Sequence, residues 1–470
     1  MRLRTVDVGD APDLSRAAMR LDVALAMVDA ERHGGGLRMR FEVRVENVDP
    51  LGWLAAWDGP GSYWASRDGI LTVAGRGEAV AVGGPRSGLH DGLDAIADLV
   101  RGGGPRVRAF GGVAFFEDFG TEGGPWERFG GFRFALPAVE VGRDAQGGWM
   151  ALQLVAEEAA VAEQIVALRA LLHQPCVRPP LRPLPSLRSR TQVPSRADFD
   201  DAIAASLAAI AGGSVDKVVL ARRVDLRFDG EVSAIDLLEG VATRDPSSFR
   251  FCIRPEVGVA FVGASPERLF RRDGLLVASE AIAGTRPRGA NDAEDAALAD
   301  ELHGAAKDRH EHALVVAAVR DALSNLCEAV EAAPGPILLR LALVQHLHTP
   351  VRGRLRRSVR DADLIEALHP TPAVCGTPRD VARAMIAQVE RFERGLYAAP
   401  VGWIGDDAAE IAVAIRSALV EGSNVSLFSG AGIVQASEAD AEWSEIEGKI
   451  RSPLEVLGVV ASAADRGESP

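Results

Sequence analysis

A large mixed α/β fold is what this sequence predicts, and three observations carry the prediction. At about 150 residues per domain, 470 residues suffice for roughly three ordinary domains or one large α/β enzyme fold. Apolar residues make up 47% and charged residues 25%, the balance of a globular chain and not of a disordered or fibrous one. Short runs with period-two alternation recur between stretches of helical period, divided by Gly and Asp turns.

The elements follow in order. Leu14, Ala17, Ala18, Leu21, Val23, Ala24 and Met27 fall at helical intervals, which predicts a helix over 12–32 ended by Gly34 to Gly36. Strands are expected at 37–48, 70–73 and 78–82. The segment 106–134 is dense in Gly and Phe, and Gly there suits tight strand packing. A helix rich in Ala and Glu is expected over 155–173. Residues 174–197 change character, with six prolines alternating with arginines and no acid before Asp198. An extended connector explains this stretch. Pro180-x-x-Pro183 also matches a polyproline ligand. Beyond it come a helix to about 212, a strand over 217–226, and a strand over 257–263. A long helix is expected over 292–332, stopped by Pro334. Further helices are expected at 361–368, 378–390 and 438–450, and strands at 400–404, 410–419 and 424–429. No internal repeat is visible.

Charge and cysteine usage exclude several classes. Against 66 Asp and Glu stand 52 Lys and Arg, a formal charge of −14. Nucleic acid and anionic membranes both require a dominant basic field, so neither is an expected partner. No run of about 18 apolar residues occurs, and the opening MRLRTVDVGDAPD meets acids where a signal peptide needs an apolar stretch. A cytoplasmic location is the expectation. Cys176, Cys252, Cys327 and Cys375 are scattered without Cys-x-x-Cys spacing, as ordinary thiols of a reducing compartment are.

Single motifs do not identify a chemistry. Gly430-Ala-Gly432 lacks the third Gly of a dinucleotide loop, His310-Glu311-His312 is not a zinc-protease spacing, and no nucleophile elbow occurs. What remains is a set of charged residues in apolar or Gly-rich surroundings, where charge is rarely placed without a partner. Lys217 opens a Val-rich strand. Glu267 follows Pro266 in Gly-Ala-Ser-Pro-Glu-Arg-Leu. Glu311 lies four residues after Lys307, and Glu442, Glu445 and Lys449 share one helical face. Taken one at a time, each also suits a surface ion pair worth about 0–1 kcal/mol.

Together and in order, these motifs resemble the chorismate-utilising enzymes, the family of isochorismate, salicylate, anthranilate and aminodeoxychorismate synthases. The resemblance covers about 195–455. It runs through Lys217-Val-Val-Leu-Ala-Arg, Ser279-Glu-Ala-Ile-Ala-Gly-Thr-Arg286, Val344-Gln-His-Leu347, Leu368-His-Pro-Thr-Pro-Ala-Val-Cys-Gly376, Arg416-Ser-Ala and Gly430-Ala-Gly-Ile433 to Glu442-Trp-Ser-Glu445 and Lys449. It implies one fold of two stacked antiparallel β-sheets with outer helices. Residues 1–190 would contribute strands and helices and end in the 174–197 connector, 195–455 would be the catalytic domain, and 456–470 a flexible tail.

Within the family, water as nucleophile needs a general base and ammonia does not. The resemblance gives water-using members a lysine at the position of Lys217. A lysine acting as base would need its pKa lowered by burial or by neighbouring cations such as the metal. The nucleophilic lysine of some aminodeoxychorismate synthases is replaced here by Ala283, and no Gly-x-Cys-x-Gly elbow supplies ammonia, so no glutamine amidotransferase subunit is expected. Ala373 stands where salicylate synthases tend to carry Thr. An isochorismate synthase, feeding menaquinone or siderophore biosynthesis, is therefore the expectation. The alternatives are a salicylate synthase and a non-catalytic binding protein that keeps the fold.

The resemblance also implies the roles. Lys217 would be the general base and Glu267 the general acid. Gly284, Thr285, His346, Ala373, Tyr397, Arg416, Ala431, Gly432 and Lys449 would bind chorismate. Glu311, Glu442 and Glu445 would hold Mg²⁺, which prefers oxygen ligands. The protein is expected to be a monomer or homodimer.

Overall fold

Alternation in the sequence becomes sheet over most of the chain. The computed structural model describes residues 2–28, 37–117, 123–342 and 344–459, and its strands hydrogen-bond into one continuous network. Phe132–Asp144 is the branch point. One of its edges pairs with Thr72–Gly84, while the other is shared by Arg108–Val113 and Gly147–Ala156.

From the first edge an arm runs through Gly61–Ala65, Phe249–Glu256, Val259–Ser265, Ser417–Glu421 and Asn424–Ile433 to Lys217–Phe228. A second arm leaves Arg108–Val113 through Pro400–Gly405, Ala408–Val413, Arg268–Asp273 and Leu276–Pro287 to Val344–Leu355. All these pairs are antiparallel. One buried cluster holds Trp64, Phe249 and Phe261 from the first arm together with Phe270, Trp403 and Ile411 from the second. The arms therefore face each other across a shared core, where each large apolar side chain contributes about 1.5–3 kcal/mol by burial. A second cluster lies under the helices Leu14–Ala26, Val161–Leu172 and Ala234–Arg244.

The N-terminal strands are interleaved with the later ones, since Gly61–Ala65 pairs with Phe249–Glu256 and Arg108–Val113 with Pro400–Gly405. The chain crosses from the first arm to the second through Pro266-Glu267, and returns through residues 414–416. Both crossings carry residues singled out above. No helix among the described residues is long and apolar enough to cross a membrane.

Several local expectations change. Arg4–Ala11 is a strand that the pattern did not announce. It pairs in parallel with Leu37–Val45 through the helix Leu14–Ala26, a crossover that parallel pairing requires. That helix ends at Ala26, and Gly34 to Gly36 lie outside the described residues. The two short strands at 70–73 and 78–82 are one strand, Thr72–Gly84, with a register shift between Glu78 and Val80. The long helix over 292–332 is two helices, Asp292–Gly304 and Ala306–Leu326, followed by the strand Cys327–Ala332. Pairing with Val344–Leu355 takes the last residues out of the helix before Pro334 is reached. Likewise 410–419 is two strands, Ala408–Val413 and Ser417–Glu421, because the chain changes arms between them.

Within the 174–197 connector, Leu187–Val193 pairs with the strand Lys217–Phe228, and Arg178 binds Asp236 and Glu239 at 2.6 Å each. Helix Ala439–Val456 runs past the expected end at 450, and Leu457 and Val459 are buried. Residues 460–470 of the expected tail lie outside the described residues.

Candidate active site

Where the two crossings meet, a cleft opens between the arms. Lys217 reaches it from the first position of its strand. Strand alternation turns Lys217 and Val219 to the cleft and Val218 and Leu220 into the core. Gly376–Thr377 closes the start of this strand by pairing with Val218 and Lys217. Only glycine serves at 376, where φ is +136° and a Cβ would stand 2.1 Å from the Lys217 carbonyl oxygen. On the other edge Gly432 leaves room for the lysine, since a Cβ there would meet Lys217 Cε at 2.7 Å. Lys217 is 2% exposed and pairs with Glu311 at 3.3 Å.

Glu267 faces the cleft from the first crossing and is 4% exposed. Burial pushes its carboxyl up to about 8, and the charge of Glu280 adds to this, while Lys217, the Thr371 hydroxyl and Lys449 pull the other way. At neutral pH the group therefore holds its proton. A buried nitrogen and a buried protonated carboxyl thus face one space.

The far wall is polar. His346 Nδ1 lies 3.1 Å from the Gly284 carbonyl and 3.0 Å from Thr285 Oγ1. A carbonyl only accepts, so Nδ1 carries the proton and Nε2 is left to accept from Arg416 Nη2 at 3.5 Å. Burial, then the Arg416 charge, push His346 down to about 3, and it is neutral. Arg416 is fixed by Asp245 at 2.7 Å. Among the described residues, Arg416 (φ +50°) and Ala398 (φ +60°) are the non-glycine positions with left-handed backbone, and both line the cleft. Strain of this kind costs about 1–3 kcal/mol and collects at functional sites. Tyr397 stacks on Phe428 with centroids 5.2 Å apart, and Gly430 admits its hydroxyl, which would lie 3.0 Å from a Cβ there.

The three acids expected to hold a metal each meet a lysine. Glu311 meets Lys217 at 3.3 Å, Glu442 meets Lys307 at 2.8 Å and Glu445 meets Lys449 at 2.6 Å. All three also act on Lys307, so their fields converge on one cation. As placed, no three His, Cys, Asp or Glu side chains among the described residues stand close enough to share an ion.

Most of the sequence-derived set lines the one cleft: Lys217, Glu267, Gly284, Thr285, Glu311, His346, Ala373, Tyr397, Arg416, Gly432, Glu445 and Lys449. Two do not. Ala431 is turned into the core between Gly430 and Gly432, because neighbours on a strand face opposite ways. Glu442 is buried behind the wall, held by Lys307. Ser429 lines the cleft without having been singled out, and its hydroxyl is buried without a protein partner. A lone Ser in Leu-Phe-Ser-Gly carries no sequence signal. Asp245, the anchor of Arg416, was missed for the same reason, since 171 residues separate the two.

Comparison with known proteins places this arrangement. A family model described as chorismate binding enzyme matches residues 29–458. Isochorismate synthase MenF of Bacillus subtilis is 32% identical over 462 residues, 93% of this chain and 97% of its own. The chloroplastic isochorismate synthase of Catharanthus roseus is 34% identical over 84% of this chain and 70% of its own. Among solved structures, the menaquinone-specific isochorismate synthase MenF from Escherichia coli superposes with a TM-score of 0.83 at 27% identity, over 94% of this chain and 99% of that one. Anthranilate synthase component I from Streptococcus pneumoniae shares the fold, with a TM-score of 0.66 at 20% identity over 83% of this chain and 92% of that one.

Proposed function

The chain belongs to the chorismate-binding enzymes, and from that premise we propose that it isomerises chorismate to isochorismate by adding water at C2 and expelling the C4 hydroxyl. One observation carries the reading: Lys217 and Glu267, both nearly inaccessible to bulk water, face the same cleft as an amine and a protonated carboxyl. The Lys217 amine takes a proton from the attacking water. Glu267 gives its proton to the departing hydroxyl, which leaves as water. One water enters and one leaves, and the two residues exchange proton states.

Arg416 and Tyr397 are the proposed partners of the enolpyruvyl carboxylate, while neutral His346 offers an uncharged polar contact to the rest of the substrate. Gly284, Thr285 and Gly432 bring backbone close to the ligand. Glu311, Glu442 and Glu445 would hold Mg²⁺, whose contribution when bound would be to neutralise the ring carboxylate of chorismate. Ala373 presents only a methyl group and cannot orient the enolpyruvyl group for elimination, which supports release of isochorismate. We place the protein in the cytoplasm as a free-standing monomer or homodimer. Full-length correspondence with the MenF relatives supports a menaquinone role.

The test is to incubate the purified protein with chorismate and Mg²⁺ and to resolve the products chromatographically. Isochorismate is expected, and Lys217→Ala should lower turnover at least a hundredfold while chorismate still binds. Salicylate with pyruvate as the sole products would make it a salicylate synthase. Absence of turnover, with or without ammonia, would leave only the binding-protein reading.

A further inference from the structure

Glu280 does not line the cleft, yet four donors converge on its buried carboxylate. Arg67 gives two hydrogen bonds, Nη1 to Oε1 at 2.7 Å and Nη2 to Oε2 at 2.9 Å. The Arg268 backbone N–H reaches Oε1 at 2.9 Å, and His348 Nε2 lies 3.0 Å from Oε2. Burial alone would raise this carboxyl, but His348, Arg67 and Arg268 bring it down to about 2, so it stays charged.

The donors also bind the turn that carries Glu267. Arg67 Nη1 donates to the Pro266 carbonyl at 2.6 Å, and Arg268 follows Glu267 directly. Glu267 itself is held through its N–H to Ser265 Oγ at 3.2 Å and through its carbonyl by the Val413 N–H at 3.0 Å. Every backbone group flanking the side chain thus has a fixed partner, and two of those partners lead to Glu280. Arg67 comes from a loop between Gly61–Ala65 and Thr72–Gly84, tied by the Ser66 N–H to the Leu71 carbonyl at 2.9 Å. The N-terminal part of the chain therefore reaches the reacting carboxyl through one guanidinium.

We propose that Glu280, clamped by Arg67 and His348, is a positioning residue that aims the Glu267 carboxyl into the cleft, an inference that rests on Glu267 acting as the acid. The charged groups facing Glu267 are Glu280, Lys217 and Lys449. Those facing Glu280 are Arg67, Arg268 and His348, with Arg268 also bound to Glu410 at 3.1 Å. A fixed negative charge beside a buried carboxyl makes a second negative charge there costly. The Arg67 clamp moderates that effect while it fixes the geometry.

The arrangement predicts opposite displacements of the basic limb of the pH–kcat profile, where Glu267 loses its proton. Glu280→Gln removes the opposing charge, and the limb should move to lower pH by about one unit. Arg67→Met leaves that charge less compensated, and the limb should move to higher pH. A merely structural role would lower kcat without moving the limb in two directions. Limbs that stay at the wild-type position in both folded variants would overturn the inference. If Glu280→Gln does not fold, the direction found for Arg67→Met decides, and an unmoved or lowered limb overturns it. Glu267→Gln run alongside separates the two levels: near wild-type turnover would remove Glu267 from the acid role and the inference with it, whereas an inactive Glu267→Gln with unmoved limbs would remove the inference alone.

Discussion

Glu267 shows what a buried, protonated carboxyl costs the protein that carries it. Its ordinary value is 4.5 and burial lifts it to about 8. Between those pH values the folded chain holds a proton that the unfolded chain has released, so stability falls as pH rises through the window. Glutamine has the same shape and no proton to lose. Glu267→Gln should therefore be inactive but more stable than the wild type at pH 7, by up to about 3 kcal/mol at about 1.36 kcal/mol per pH unit. Denaturant unfolding of both proteins at pH 4 and pH 7 tests this. A difference that does not grow with pH would show that Glu267 is ionised in the fold. Glu280 behaves with the opposite sign: its stabilisation is present above about pH 4.5 and is lost as pH falls toward 2. Two carboxyls thirteen positions apart in the chain are tuned apart by their surroundings, and neither tuning is visible in the residue type.

The cleft depends as much on how elements approach as on the side chains they carry. Gly376–Thr377 forms a two-residue strand whose close contact with the Lys217 backbone sets where the amine enters the cleft. Gly376→Ala should cost at least about 1–3 kcal/mol in backbone strain. It should also displace Lys217, because the atom it meets is a main-chain oxygen that cannot rotate away. Thermal unfolding together with turnover measures both effects, and a variant of wild-type stability and kcat would show that the short strand is not needed to seat the base. The boundaries read from the sequence failed where pairing overrode local pattern. Residues 327–332 carry enough helical character to extend the preceding helix, yet their partners at Val344–Leu355 take them into the sheet. The break at residues 414–416 follows from a change of arms, which no window of residues can report.

For the molecule as a whole, a charge of −14 opposes a dianionic substrate. The cleft answers with Arg416 and Lys449, but Glu311 and Glu445 line it too, and Glu445 is already paired with Lys449. Without a divalent ion the local field is therefore close to balanced. Chelation of Mg²⁺ should weaken chorismate binding at least tenfold, about 1.4 kcal/mol, as measured by calorimetry. Undiminished affinity in chelator would mean that Arg416 and the lysines suffice and that the acids do not act through a metal.

The order of motifs along the chain was enough to indicate the family and to name most of the residues that line the cleft, the proposed catalytic pair among them, because those residues carry their own functional groups at positions set by short local patterns. The charge balance, also a property of composition alone, pointed away from the acidic ligand that the cleft is built to take. What came from the folded chain was the union of two sheet arms around one core, the inward turn of Ala431, the orphan hydroxyl of Ser429 and the Arg67–Glu280 clamp on Glu267. Each of these is a contact between segments far apart in sequence. Burial, and the field of neighbours brought in from other strands, give such residues their chemistry, and both exist only once the chain has closed on itself.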